Sequence, residues 1–222
     1  MEYSTLSNYI PHLIIALTAI SSIMGFNNRE LNDRLIFNVG AILGPTKQWY
    51  RLITSAFLHG DWLHLIFNMM TLYFFSDVII QVFGAWKYLI IYFAAILGGG
   101  LLSLLVHRSQ YYYSALGASG GVVGILFAAI AIFPQIGIRF FFIPIDIPGW
   151  VFGIGYIAYS IYGMRNSVGN IGHDAHMGGA AIGLLLAIIF APQLLTINGL
   201  YIGIMTIPLI VLAVLVWKDM KR

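Results

Sequence analysis

Seven apolar runs divide this chain, at about residues 10–26, 62–83, 87–106, 117–133, 149–162, 175–191 and 196–217. Runs of this length and apolarity are read as membrane spans. In lipid a helix satisfies its own backbone polar groups, so the expected class is an all-α polytopic membrane protein. Composition agrees: 60% of the 222 residues are hydrophobic and 9% charged, with mean hydropathy +0.89. A soluble domain is nearer half apolar and a quarter charged. The spans are expected to pack as a single membrane domain over 1–222, with the lipid bilayer as surroundings.

Several function classes fall away at once. There is no cysteine, hence no disulfide framework, thiolate metal site or thiol nucleophile. The net charge of +3 comes from scattered residues, and no basic run points to nucleic acid as a partner. No internal repeat is visible, so the inverted-repeat sign of many transporters is missing. Glu2 and the absence of a basic residue before the first apolar run argue against a cleaved signal or transit peptide. Between the spans, residues 27–60 are too polar to cross and too aromatic for a plain linker; Trp49, Tyr50 and Phe57 suit a membrane–water interface. Residues 135–148 read as a surface loop, and residues 163–174 as a glycine- and asparagine-rich loop able to move. His12 reads as interfacial, without a role.

Chemistry concentrates at two span heads. Gly117-Ala118-Ser119-Gly120-Gly121 opens the fourth span and Ala175-His176-Met177-Gly178-Gly179 the sixth. Serine and histidine form a nucleophile and a general base, and polar groups inside spans are functional candidates by default. Gly120 and Gly124 on one helix, and Gly179 and Gly183 on the other, make two smooth faces at the depth of Ser119 and His176. G-A-S-G-G also matches the nucleophile elbow of soluble hydrolases, but no strand precedes it and no α/β alternation surrounds it. Taken alone, Ser119 is more readily a small packing residue at a helix crossing. A lone intramembrane histidine fits a hydrogen-bonded packing group, a proton relay or a ligand. His173 and His176, with Asp174 between them, lack the H-E-x-x-H of zinc proteases and any third ligand in the spans, so no metal is expected. His64 and Asn68, spaced i, i+4, share a face of the second span. They are either interhelical hydrogen bonds or two donors for a developing oxyanion.

Taken together, His59-x4-His64-x3-Asn68, G-x-S-G and A-H-x-x-G-x3-G, each at the head of its span, resemble the rhomboid intramembrane serine proteases. Trp49-Tyr50-Arg51 resembles that family's W-R signature with a tyrosine inserted, and the likeness covers about residues 45–190. The resemblance implies a rhomboid-like six-helix bundle, to which residues 196–217 add one extra C-terminal transmembrane helix. It implies that Ser119 is the catalytic nucleophile, His176 its base, and His64 and Asn68 oxyanion donors. No cofactor is implied. The substrates implied are transmembrane segments of membrane proteins, and the location a multi-pass protein of the bacterial cytoplasmic membrane. Residues 27–60 resemble the family's membrane-lying first loop, and 163–174 its mobile cap. Val123 stands where the family usually carries an aromatic that stacks on the histidine. Two alternatives compete. One is an inactive rhomboid-like protein that binds membrane clients, which loss of the serine or histidine would mark. The other is a small transporter, against which stand the few charges in the spans and the missing repeat.

Overall fold

The computed structural model describes residues 9–140, 143–166 and 172–220. Helix α1 (Ile10–Asn27) is followed by a polar first loop that folds into short pieces: α2 (Arg29–Leu35), β1 (Phe37–Asn38), α3 (Val39–Leu43) and α4 (Arg51–Thr54), which runs into a 3-10 turn at Ser55–Phe57. Asparagine side chains start two of these helices. Asn28 Oδ1 accepts from the Leu31 N–H at 3.0 Å and Asn38 Oδ1 from the Ala41 N–H at 2.8 Å. Arg51 is buried beneath the loop. Its Nη1 donates to the carbonyls of Asp33 and Ile36 at 2.8 and 2.7 Å, and its Nε to Gln48 Oε1 at 2.6 Å. The W-Y-R stretch therefore satisfies loop carbonyls that α2 and β1 leave unpaired.

Helices α5 (Trp62–Phe83) and α6 (Ala85–Val106) form a hairpin through Gly84, whose φ of +80° favours glycine. Strand β2 (Ser114–Ala115) pairs antiparallel with β1 and leads into α7 (Ser119–Ile132). Next come β3 (Gly137–Phe140) and β4 (Ile143–Pro148), then α8 (Gly149–Asn166), α9 (His173–Phe190), α10 (Leu194–Ile197) and α11 (Gly199–Met220). Among the described residues α1, α5, α6, α9 and α11 are long and apolar enough to cross a membrane. The whole is the all-α polytopic bundle expected.

Three local expectations are corrected. Within residues 135–148, β3 and β4 pair antiparallel where a loop was expected, clamped by two hydrogen bonds from Arg139 to Asp146 at 2.9 and 2.7 Å. The isoleucines at 136, 138, 143, 145 and 147 carry a strand signal that the neighbouring phenylalanines masked. The loop at 163–174 is shorter than expected, because α8 continues to Asn166 and α9 begins at His173. Its residues 167–171 lie outside the described residues. Finally, α7 starts at Ser119, not Gly117.

Helix α7 is the axis of the molecule. Its 14 residues, apolar on every side, are buried from Gly120 to Ile132. At about 1.5 Å per residue it spans only about 21 Å, against about 30 Å for the hydrocarbon of a bilayer. It is enclosed by α5, α6 and α9. Glycine makes the closest of these contacts possible. A Cβ on Gly179 would fall on the backbone of Gly120, one on Gly183 on the backbone of Gly124, and one on Gly178 on the backbone of Gly98 and Gly99. The two glycine faces read from the sequence meet each other. Helix α11 lies outside this core, chiefly against α8, where Met205 covers Gly153. Just before α11, Asn198 Nδ2 donates to the carbonyls of Ala131 and Ile132, both at 2.9 Å, and so satisfies the C-terminal end of α7.

Gly183→Ala should therefore lower the stability of the detergent-solubilised protein by about 1–3 kcal/mol through overpacking. Gly203→Ala, where a Cβ meets nothing within 4 Å, should leave the melting temperature unchanged or raise it. Equal melting temperatures for the two variants would mean that the α7–α9 contact is not close.

Candidate active site

Gly117 turns the chain into α7 with φ +128°, a conformation that side chains disfavour, while its N–H donates to the Ser55 carbonyl at 3.0 Å. Ala118 then caps the helix and Ser119 is its first residue. The first N–H groups of a helix have no intrahelical partner, so those of Ser119 and its neighbours are free to face a developing negative charge at the positive end of the helix. His176 lies one turn inside α9, beside the Gly178–Gly179 face. The contact of the two helices sets Ser119 Oγ 2.7 Å from His176 Nε2. On the other side of the ring the Tyr156 hydroxyl, from α8, lies 2.8 Å from His176 Nδ1. The two rings also stack, with centroids 5.9 Å apart and planes at 29°. Tyr156 had no sign in the sequence. It occupies a role that Val123, buried on α7, cannot fill.

His59 is a second residue whose part the sequence left open. It is buried, with Nδ1 2.8 Å from Ser22 Oγ on α1. The Ser22 hydroxyl donates its own proton to the Phe57 carbonyl at 3.0 Å, so it accepts from His59 Nδ1–H. Nε2 is then a bare acceptor, and it faces the N–H of Ala118 at 3.4 Å. His59 thus ties α1 to the residue preceding Ser119. Burial, then the neighbouring His64, lower its pKa to about 3 against a smaller opposing effect of Asp61, which keeps it neutral.

His64 and Asn68 both face the same space as Ser119 and His176. Asp61 caps α5, its Oδ1 accepting from the His64 N–H at 2.8 Å. The His64 ring lies edge-on to His59, centroids 4.8 Å apart, and against Gly117, where a Cβ would meet Cε1 at 2.6 Å. Asn68 is buried, and its Nδ2 has no hydrogen-bond partner among the described residues. An unmet buried donor typically costs about 1–3 kcal/mol. All four residues line one cavity of about 1100 Å³. Phe67 and Phe74 of α5 line one side, and Phe152 and Tyr156 of α8 the other. These two helices flank the cavity without packing closely on each other.

The neighbours of His176 do different work from it. Asp174 points away, with Oδ2 3.4 Å from His107 Nε2, as its position two residues along the helix requires. The His107 ring stacks on Tyr113, centroids 3.5 Å apart, and its Nδ1 lies 3.0 Å from Gln110 Oε1. Burial lowers the His107 pKa, but the facing Asp174 outweighs it and the net shift is upward. His173 is not in a loop, as expected, but buried at the start of α9. A Cβ on Gly163 would strike its ring, and Tyr159 meets it edge-on at 5.3 Å. Among the described residues no three His, Asp or Glu side chains converge as metal ligands.

Residues 46–193 match a family model described as the Rhomboid domain. The chain is 36% identical over 149 residues to the mitochondrial RHOMBOID-like protein 12 of Arabidopsis thaliana, covering 60% of this chain and 44% of that protein. It is 30% identical over 199 residues to rhomboid protease GluP of Bacillus subtilis, covering 83% and 37%. With rhomboid protease AarA of Providencia stuartii the figures are 27% over 199 residues, 79% and 69%. The chain spans under half the length of the mitochondrial relatives it matches. Mitochondrial and bacterial relatives both match, which supports an integral membrane protein but not the bacterial membrane expected from the sequence.

The two perturbed histidines outside the spans should shift stability with pH in opposite senses. His59 has a folded pKa below the ordinary 6.5, so its stabilisation is complete above pH 6.5 and is lost as pH falls toward 3. His107 has a raised pKa, so its stabilisation is complete below pH 6.5 and fades as pH rises above it. Melting temperatures measured from pH 5 to 8 should show the gap between wild type and His59→Gln narrowing toward acid. The gap for His107→Gln should narrow toward alkali. Parallel curves for the two variants would contradict the assignment.

Proposed function

The chain belongs to the rhomboid family, and from that premise we propose that it is a serine endopeptidase that cleaves transmembrane segments of membrane proteins with a Ser119–His176 dyad. The observation that carries this is the 2.7 Å approach of Ser119 Oγ to His176 Nε2 at the wall of a cavity of about 1100 Å³. Neutral His176 takes the Ser119 proton as Oγ attacks a peptide carbonyl. The developing oxyanion is held by the Ser119 N–H at the helix terminus, by His64 and by Asn68. The unmet Nδ2 of Asn68 supports this, since a donor left unpaired in the resting site is available to the transition state. His176 then returns the proton to the leaving amine, and water hydrolyses the acyl-enzyme.

The substrate class follows from the surroundings. The cavity lies between α5 and α8, and a membrane-spanning helix reaches it by passing between them. A transmembrane helix has its backbone hydrogen bonds satisfied, so the segment to be cut unwinds before its carbonyl meets Ser119. Small or helix-breaking residues near the cut make this easier.

Ser119→Ala and His176→Ala should each abolish cleavage of a transmembrane reporter reconstituted in liposomes, with the melting temperature retained. Full cleavage by either variant would end the dyad assignment. His64→Ala and Asn68→Ala should each lower kcat by about 10²–10³ with KM nearly unchanged. If the two residues are only interhelical links, worth about 0.6 kcal/mol each, their variants would melt earlier at unaltered kcat.

A further inference from the structure

We propose that Tyr156 is the positioning residue of the dyad: from α8, its hydroxyl holds His176 in the tautomer able to accept the Ser119 proton, so the catalytic pair is complete only while α8 is seated against α9. This rests on the protease reading above and adds to it a third member on a third helix.

For Nε2 to receive the Ser119 proton it must be bare, so the ring proton of neutral His176 belongs on Nδ1. A buried Nδ1–H needs an acceptor. In soluble serine hydrolases a carboxylate supplies it. Here the nearest acid along the chain, Asp174, faces His107 instead. The atom within reach of Nδ1 is the Tyr156 hydroxyl oxygen, at 2.8 Å. Phenol is a weaker acceptor than carboxylate, but it is neutral, and a buried carboxylate in a membrane bundle carries a heavy desolvation penalty. When His176 gains the second proton, the same oxygen still accepts from Nδ1–H.

Packing keeps the hydroxyl in place. The Tyr156 ring lies against Phe152, centroids 5.7 Å apart, against Phe127 of α7 at 6.1 Å, and against the His176 ring itself. The outer face of α8 is held in turn by α11. Met205 covers Gly153, and the Trp150 and Tyr201 rings meet at 5.7 Å. Because α8 also forms one wall of the cavity, displacement of that wall moves the group that orients the base. A segment that enters without unseating Tyr156 meets an assembled dyad; one that levers α8 outward meets Ser119 beside an unoriented histidine.

The test is Tyr156→Phe, which keeps the ring and removes only the hydroxyl. Turnover should fall about tenfold in kcat, the worth of one neutral hydrogen bond, with KM and melting temperature unchanged. In parallel, 15N NMR of histidine-labelled protein in detergent, with His176→Asn to assign the signal, reads the tautomer directly. Wild type should show His176 protonated on Nδ1 alone, and Tyr156→Phe a mixture of both tautomers. Unchanged kcat in Tyr156→Phe, or wild-type His176 protonated on Nε2, would overturn the inference. A lower melting temperature with the same turnover per folded molecule and the same tautomer would make Tyr156 a packing residue only. Failure of the protease reading is distinguishable, because it appears as absent turnover in wild type itself, while the NMR result still decides the tautomer.

Discussion

The backbone contact between α7 and α9 is what the rest of the site depends on. Packed helices ordinarily keep their axes about 8–10 Å apart, held off by side chains. Here Gly179 and Gly183 lie on the backbone of Gly120 and Gly124, and Gly178 on that of Gly98 and Gly99, so no side chain intervenes. A short side chain such as that of Ser119 then reaches the His176 ring directly. Van der Waals packing of this kind is also what holds helices together where lipid removes the hydrophobic drive between them.

Around that contact, polar groups are placed so that few charges are buried. His59 is neutral and ties α1 to Ala118; Tyr156 is neutral and meets His176 from α8; Asn68 keeps a buried Nδ2 without a partner among the described residues. Among the described residues Arg51 is the buried cation, and it serves the carbonyls of the first loop rather than the site. Asp174, two residues from His176 and so on another side of α9, is paired with His107 just after α6. Under the proposed dyad, catalysis relies on orientation and on helix-terminal N–H groups more than on ionised side chains.

Much of this was legible in the chain because period and spacing carried it. Apolar run lengths announce the helices, and the four-residue spacing of Gly120–Gly124 and Gly179–Gly183 announces two faces that can meet. The approach of Ser119 to His176 follows from those faces, and the i, i+4 spacing of His64 and Asn68 sets both on the cavity side of α5. What was missed lies in contacts that no spacing encodes. Tyr156 is 20 residues from His176, on a helix whose register against α9 has no local signal. His59 acts through Ser22, 37 residues away on α1. The hairpin at 137–148 was hidden by consecutive phenylalanines that break the two-residue alternation, and the head of α9 by His173 and Asp174, whose polarity resembles a loop although both are buried.

The most direct measurement is covalent trapping of the nucleophile. The folded protein in detergent is treated with a fluorophosphonate probe and the adduct located by peptide mass spectrometry, for wild type, Ser119→Ala and His176→Ala. The account predicts one adduct, on Ser119, in wild type, and none in either variant. No adduct on folded wild type, an adduct on another residue, or wild-type labelling rates without His176 would contradict it.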